Sequence, residues 1–214
     1  MTQNLFAVQG TQTTLNGQPF LVKGLRCSNA LLSDESADQL IDHLDVFAGY
    51  GINTVSVYWM GNRFGDVKGY REDGSLDPVY AGRFERIIEA ADARAMVVLV
   101  GCLYWGDSKA KWESWTQIEA NTAVYHSVDW LRERDYRNVF VDVDNEGMAL
   151  RSAGFDNQKL VRAGKADRQM WLGTFEALEY LCKLGRFMPR SIAETLHRLG
   201  LSHAKVGIPE PIDT

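Results

Sequence analysis

The chain predicts an α/β fold, in which parallel strands alternate with helices and curl into an incomplete (β/α) TIM-type barrel with a helical C-terminal extension. Three observations predict it. Residues 96–103, Met-Val-Val-Leu-Val-Gly-Cys-Leu, are almost wholly apolar, as a parallel strand covered on both faces should be. Amphipathic stretches of helical period separate this run from others of strand length, and a strand–helix–strand series with short crossovers makes a parallel sheet. Finally, Val141-Asp142-Val143-Asp144-Asn145-Glu146 is a strand that delivers a carboxamide and a carboxylic acid to its C-terminal end. A βα barrel assembles its active site at that end.

The elements follow in order. Asn16-Gly17 tolerates the positive φ angles of a tight turn and joins two short extended pieces. Residues 20–26 form a first buried strand. Ser33 or Asp34 caps a helix to about Tyr50, with Leu40, Ile41, Leu44 and Phe47 on one face and Gly51 beyond its end. Residues 52–59 are rich in β-branched and aromatic side chains and form the second strand. A loop over 60–78 leads through Pro78 into a helix to about Arg94, with Phe84, Ile87, Ile88 and Ala91 inward. The third strand is 96–103. A loop carrying Trp105, Trp112 and Trp115 precedes a helix over about 117–134, and 138–144 is the fourth strand.

Residues 147–214 are too few for four more strand–helix units at roughly 30 residues each. The chain therefore divides into residues 1–150, half of a barrel, and residues 151–214, a helical extension. In the extension, Gln158 to about Gly185 reads as one helix and 191–199 as another, before Pro209 and Pro211. An open half barrel leaves the edges of its first and fourth strands to be covered, by the helical tail or by a second copy of the chain.

The 214 residues carry a net charge of −5, which argues against the basic face of a nucleic-acid partner. Residues 191–202 faintly resemble a helix-turn-helix, but the segment after them is too short for a recognition helix. No window approaches a membrane span, and no secretory signal opens the sequence, which favours a cytoplasmic protein. Cys27, Cys102 and Cys182 are widely spaced and odd in number, as reduced buried thiols would be. No metal or cofactor motif is present: the sequence has no phosphate loop, dinucleotide fingerprint or nucleophile elbow.

Four stretches together resemble the N-terminal half of the clan A glycoside hydrolases, the cellulase-like (β/α)8 barrels. They are residues 15–24 (Leu-Asn-Gly-Gln-Pro-Phe-Leu-Val-Lys-Gly), 51–57 (Gly-Ile-Asn-Thr-Val-Ser-Val), Gly74-Ser75-Leu76-Asp77 with the helix and strand after it, and 138–146 (Asn-Val-Phe-Val-Asp-Val-Asp-Asn-Glu). The resemblance implies a carbohydrate partner. It places the general acid/base on Glu146 and a contact to the sugar 2-hydroxyl on Asn145. Gly147 stands where family members often have Pro. The family's nucleophile, a second Glu on the seventh strand, has no counterpart, and Glu210 comes too early to be one. The likeness thus implies a glycoside hydrolase-like protein acting on or binding O-glycosides, with an incomplete retaining site and little or no activity alone.

Retaining glycosidases need two carboxyl groups roughly 5–5.5 Å apart, so one without the other cannot form a glycosyl-enzyme. Tyr58, Trp59, Tyr104 and Trp105 fall at the ends of the second and third strands, where flat rings suit the apolar faces of sugars. Plain packing explains them equally well. Arg26 and Arg63, near strand ends, can orient a carboxylate or hydroxyl. Two other classes compete: a non-catalytic carbohydrate-binding remnant, and a metal-dependent phosphodiesterase using Asp142, Asp144 and Glu146 on one strand face.

Overall fold

The computed structural model describes residues 2–61, 66–105, 114–164 and 172–173. It opens on an antiparallel meander, β1 (Phe6–Gln9), β2 (Gln12–Leu15) and β3 (Gln18–Pro19). The Asn16-Gly17 turn has φ of 53° and 75°, the paired positive values that a two-residue hairpin demands. β1 was not legible beforehand. Its register is set from outside the strand, where Asn16 accepts from the Leu5 N–H at 2.8 Å.

The barrel wall follows: β4 (Gly24–Arg26), α1 (Asp34–Gly49), β5 (Thr54–Tyr58), the short antiparallel pair β6 (Met60–Gly61) and β7 (Val67–Lys68), α2 (Pro78–Asp92), β8 (Val97–Leu103), α3 (Gln117–Glu133) and β9 (Val139–Asp144). Beyond β9 come a single 3₁₀ turn (Asn145–Gly147), α4 (Met148–Ala153), α5 (Asn157–Gly164) and β10 (Leu172–Gly173). Five strands lie in the order β10-β9-β8-β5-β4, and every neighbouring pair is parallel. Sequence order equals spatial order, so the sheet winds in one sense, as a barrel wall does; a doubly wound sheet reverses order at a switch point.

Each helix begins where a side chain can satisfy its first amides. Ser33 accepts from Ser36 N, Asp77 from Val79 N before Pro78, and Thr116 forms a reciprocal box with Glu119. Leu40 and Leu44 of α1, Phe84, Ile87 and Ile88 of α2, and Val124, Val128 and Leu131 of α3 are buried, so each helix lays an apolar stripe inward. Val55, Val57, Val98, Val100, Val139 and Val141 are fully or almost fully buried, which is why β5, β8 and β9 read as unbroken apolar runs. At the N-terminal end of the strands, Phe6 stacks on Phe140 with centroids 5.0 Å apart, tying the meander to the wall. Asp92, nearly buried at the end of α2, accepts from the N–H groups of Gln3 and Asn4 at 2.7 and 3.0 Å.

One expectation is corrected. The single helix expected from Gln158 to Gly185 is described as α5 over Asn157–Gly164, and Leu172–Gly173 joins the sheet beside Val141 and Asp142 instead. The outer edge of β9 carries backbone groups that need partners, and a parallel strand supplies them where a continuing helix could not. The helix expected at 191–199, with Cys182 and Glu210, lies outside the described residues. Among the described residues, no helix is long and apolar enough to cross a membrane. Cys27 and Cys102 are free thiols, which burial pushes up to about 11 and about 12.

Candidate active site

Tyr58, Gly101 and Asp142 occupy one row across β5, β8 and β9, since Tyr58 pairs with Gly101 and Gly101 with Asp142. The ring of Tyr58 lies over Gly101, filling the space a side chain would take there. Burial, reinforced by the Asp142 carboxylate, holds the Tyr58 phenol well above its usual range, so it is a neutral hydroxyl donor.

One turn above this row the chain reaches Asn145 and Glu146. The Tyr58 hydroxyl donates to Asn145 Oδ1 at 3.0 Å. Arg26, at the end of β4, donates through Nη2 to the same oxygen at 2.9 Å and to Glu146 Oε1 at 3.4 Å. Its guanidinium lies 5.9 and 5.5 Å from the ring centroids of Tyr58 and Tyr104. Burial draws the Arg26 pKa down, and interaction with Tyr58, Tyr104 and Glu146 more than reverses this, so the cation persists. The ion pair with Glu146 is half exposed, the two side chains being 32% and 43% accessible, so solvent screens it.

The backbone of Glu146 has φ 56° and ψ 20°, left-handed for a residue that is not glycine. Non-glycine residues there cost roughly 1–2 kcal/mol. Gly147 follows at φ 65°, a value closed to proline, the residue often found at that place in the family the sequence resembles. The two left-handed residues throw the chain sharply out of β9 and leave the Glu146 side chain at the rim. Nothing in the sequence announced this turn except Gly147 itself.

The structure therefore brings Arg26, Tyr58, Tyr104, Asn145 and Glu146 together at the C-terminal ends of four different elements. The other expected aromatics are placed differently. Trp59 points to the opposite face of β5, packs against Phe84 and Trp130 with centroids 4.7 and 5.2 Å away, and is fully buried, so it is a core residue with no face for a ligand. Alternation along the strand dictates this once Tyr58 faces inward. Trp105 lies at the rim but is 9% exposed, edge-on to Phe155 at 5.0 Å and near Trp115 at 5.8 Å. Arg63 and Trp112 lie outside the described residues.

The carboxylates of β9 do not converge on a metal. Asp144 accepts from the Ala149 and Leu150 amides at 2.8 and 3.2 Å, capping α4. Burial raises its pKa against the pull of those amides. Among the described residues, no group of three His, Cys, Asp or Glu side chains is placed to hold an ion. The metal-dependent phosphodiesterase reading has no support in this geometry.

The fold is a partial (β/α) barrel like those of glycoside hydrolases. No protein-family model matches the chain, and no curated protein matches it. Particular solved structures do. A glycoside hydrolase family 5 protein from Bacteroides vulgatus superposes with a TM-score of 0.58 at 16% identity, covering 79% of this chain and 39% of that one. A β-glucanase from Saccharophagus degradans gives 0.53 at 17%, covering 81% and 54%. A hyperthermophilic endocellulase from the archaeon Pyrococcus horikoshii gives 0.52 at 14%, covering 81% and 57%. The chain spans 39% to 57% of the length of these three structures. The likeness to the N-terminal half of a cellulase-like barrel is thus borne out in the fold.

Proposed function

We propose that this wall of a barrel binds a neutral O-linked saccharide at the C-terminal ends of β4, β5, β8 and β9. Glu146 stands in the inherited acid/base position, and Asn145 beside it serves a sugar hydroxyl. The observation that supports this most is the Asn145–Glu146 pair leaving the fourth parallel strand through a left-handed turn, tied by Arg26 to the first. Strained backbone of this kind persists at sites where geometry matters more than stability. A β-glucanase of this fold has been seen in complex with cellotetraose.

Binding is favoured over turnover. Formation of a glycosyl-enzyme requires a second carboxylate roughly 5–5.5 Å away across the sugar, and the sequence offers no counterpart to that nucleophile. Tyr104 and Trp105 flank the binding position, and Tyr58 supports it from below.

The test is calorimetric titration with cellotetraose, xylotetraose and mannotetraose, alongside release of nitrophenol from aryl β-glycosides. One of the oligosaccharides should saturate the protein, and Glu146→Gln should weaken it about tenfold, the effect of one charged hydrogen bond. Release of nitrophenol that Glu146→Gln abolishes would instead establish a working glycosidase. No saturation by any of the three at millimolar concentration sinks the reading.

A further inference from the structure

We infer that Met148 is a displaceable cover on the Asn145 amide, and so a residue that sets how readily a saccharide hydroxyl reaches it. The inference rests on the saccharide-binding reading above and goes beyond it. Its first premise is the direction of the amide. A guanidinium has only donors, so the Asn145 atom 2.9 Å from Arg26 Nη2 must be the oxygen. The Tyr58 hydroxyl donates to that oxygen as well. With Oδ1 held from two sides, the NH₂ end is turned away from both, and any ligand atom meeting Asn145 must be an acceptor.

Its second premise is what that NH₂ meets. Asn145 is fully buried, so a ligand does not reach it while the surroundings stay as they are. Nδ2 donates to Met148 Sδ at 3.8 Å. A thioether is a weak acceptor on an unbranched side chain with three rotatable bonds, and a sugar hydroxyl is a better partner for an amide N–H. Met148 is itself only partly buried and begins α4 directly after the left-handed pair Glu146–Gly147, at the rim. The sulfur therefore stands where the hydroxyl oxygen of a bound sugar would stand. Binding exchanges one acceptor for the other, and the side chain swings out.

The experiment compares wild type, Met148→Ala, Met148→Leu, Asn145→Ala and the Asn145→Ala/Met148→Ala double variant in two measurements. Hydrogen exchange of the Asn145 side-chain amide, assigned by its loss in Asn145→Ala, needs no sugar. It should quicken at least tenfold in Met148→Ala, while Met148→Leu, which keeps the bulk, stays near wild type. Titration with cellotetraose should show affinity rising three- to tenfold in Met148→Ala, and that gain should vanish in the double variant. Unchanged amide exchange in Met148→Ala overturns the cover. So does a Met148→Ala gain in affinity that persists without Asn145. Accelerated exchange with no cellotetraose binding in any variant leaves the cover standing and tells against the saccharide.

Discussion

A Cβ placed on Gly101 would stand 1.9 Å from Cδ1 of Tyr58. The phenol ring occupies the volume that any other residue would need, and the ring's position is what brings its hydroxyl to Asn145. Gly101→Ala should therefore be costly although the change is one methyl. Forcing a buried ring aside typically costs about 1–3 kcal/mol. A denaturant titration should show this loss, and Tyr58→Phe in the Gly101→Ala background should recover none of it, because the clash is with the ring. A stability equal to wild type would mean the ring has room to move.

Glu146 presents the opposite case. Its left-handed backbone is better suited to glycine, so Glu146→Gly removes strain from the native state, less the extra freedom glycine has when unfolded. The expected result is a gain of about 1 kcal/mol in unfolding free energy, with Glu146→Gln unchanged in stability. Both variants lose the carboxylate. A stabilised Glu146→Gly that still takes up saccharide as well as wild type would remove Glu146 from the site.

The outer layer offers a pH prediction. Arg94 donates to both oxygens of Asp45, at 2.7 and 2.9 Å, linking the end of α2 to α1. The hydrogen bond from Arg94 holds the Asp45 carboxyl below its usual range. The folded state thus favours the ionised form, so this contribution is present above the ordinary aspartate pKa of roughly 4 and is lost as pH falls through the lowered folded value. Thermal melts of wild type and Asp45→Asn should differ near pH 6 and converge towards pH 2, and 1 M salt should shrink the difference. A gap that widens on acidification would contradict the pair.

Much of the wall was legible because its signals are local. Pro78 after Asp77, Ser33 before an amphipathic run, and the apolar run at 97–103 each declare an element within a few residues. The candidate site was half legible. Asn145 and Glu146 were found from their place at a strand end, and Arg26 from its place on the first strand, but their meeting is a contact across 119 residues that no local pattern carries. Trp59 was placed at the rim because the second strand was read as running through residue 59; β5 ends at Tyr58, and a one-residue difference in facing sends Trp59 to the core instead. β10 was read as helix because its two residues carry no strand signal of their own and are fixed by the open edge of β9.

The tie between the first residues and the approach to β9 bears on the order of assembly. Arg137 N donates to Thr2 Oγ1 at 2.7 Å, and Phe6 N to Arg137 O at 2.9 Å, contacts that join segments more than 130 positions apart. The amino-terminal hairpin is made early, and although Gln3 and Asn4 can meet Asp92 once α2 exists, Thr2 and Phe6 find their partners only when the segment leading into β9 has been synthesised. Closing so long a loop is slow, and contacts of such separation form late. During translation, the side of Phe6 that packs on Phe140 waits uncovered until β9 is built.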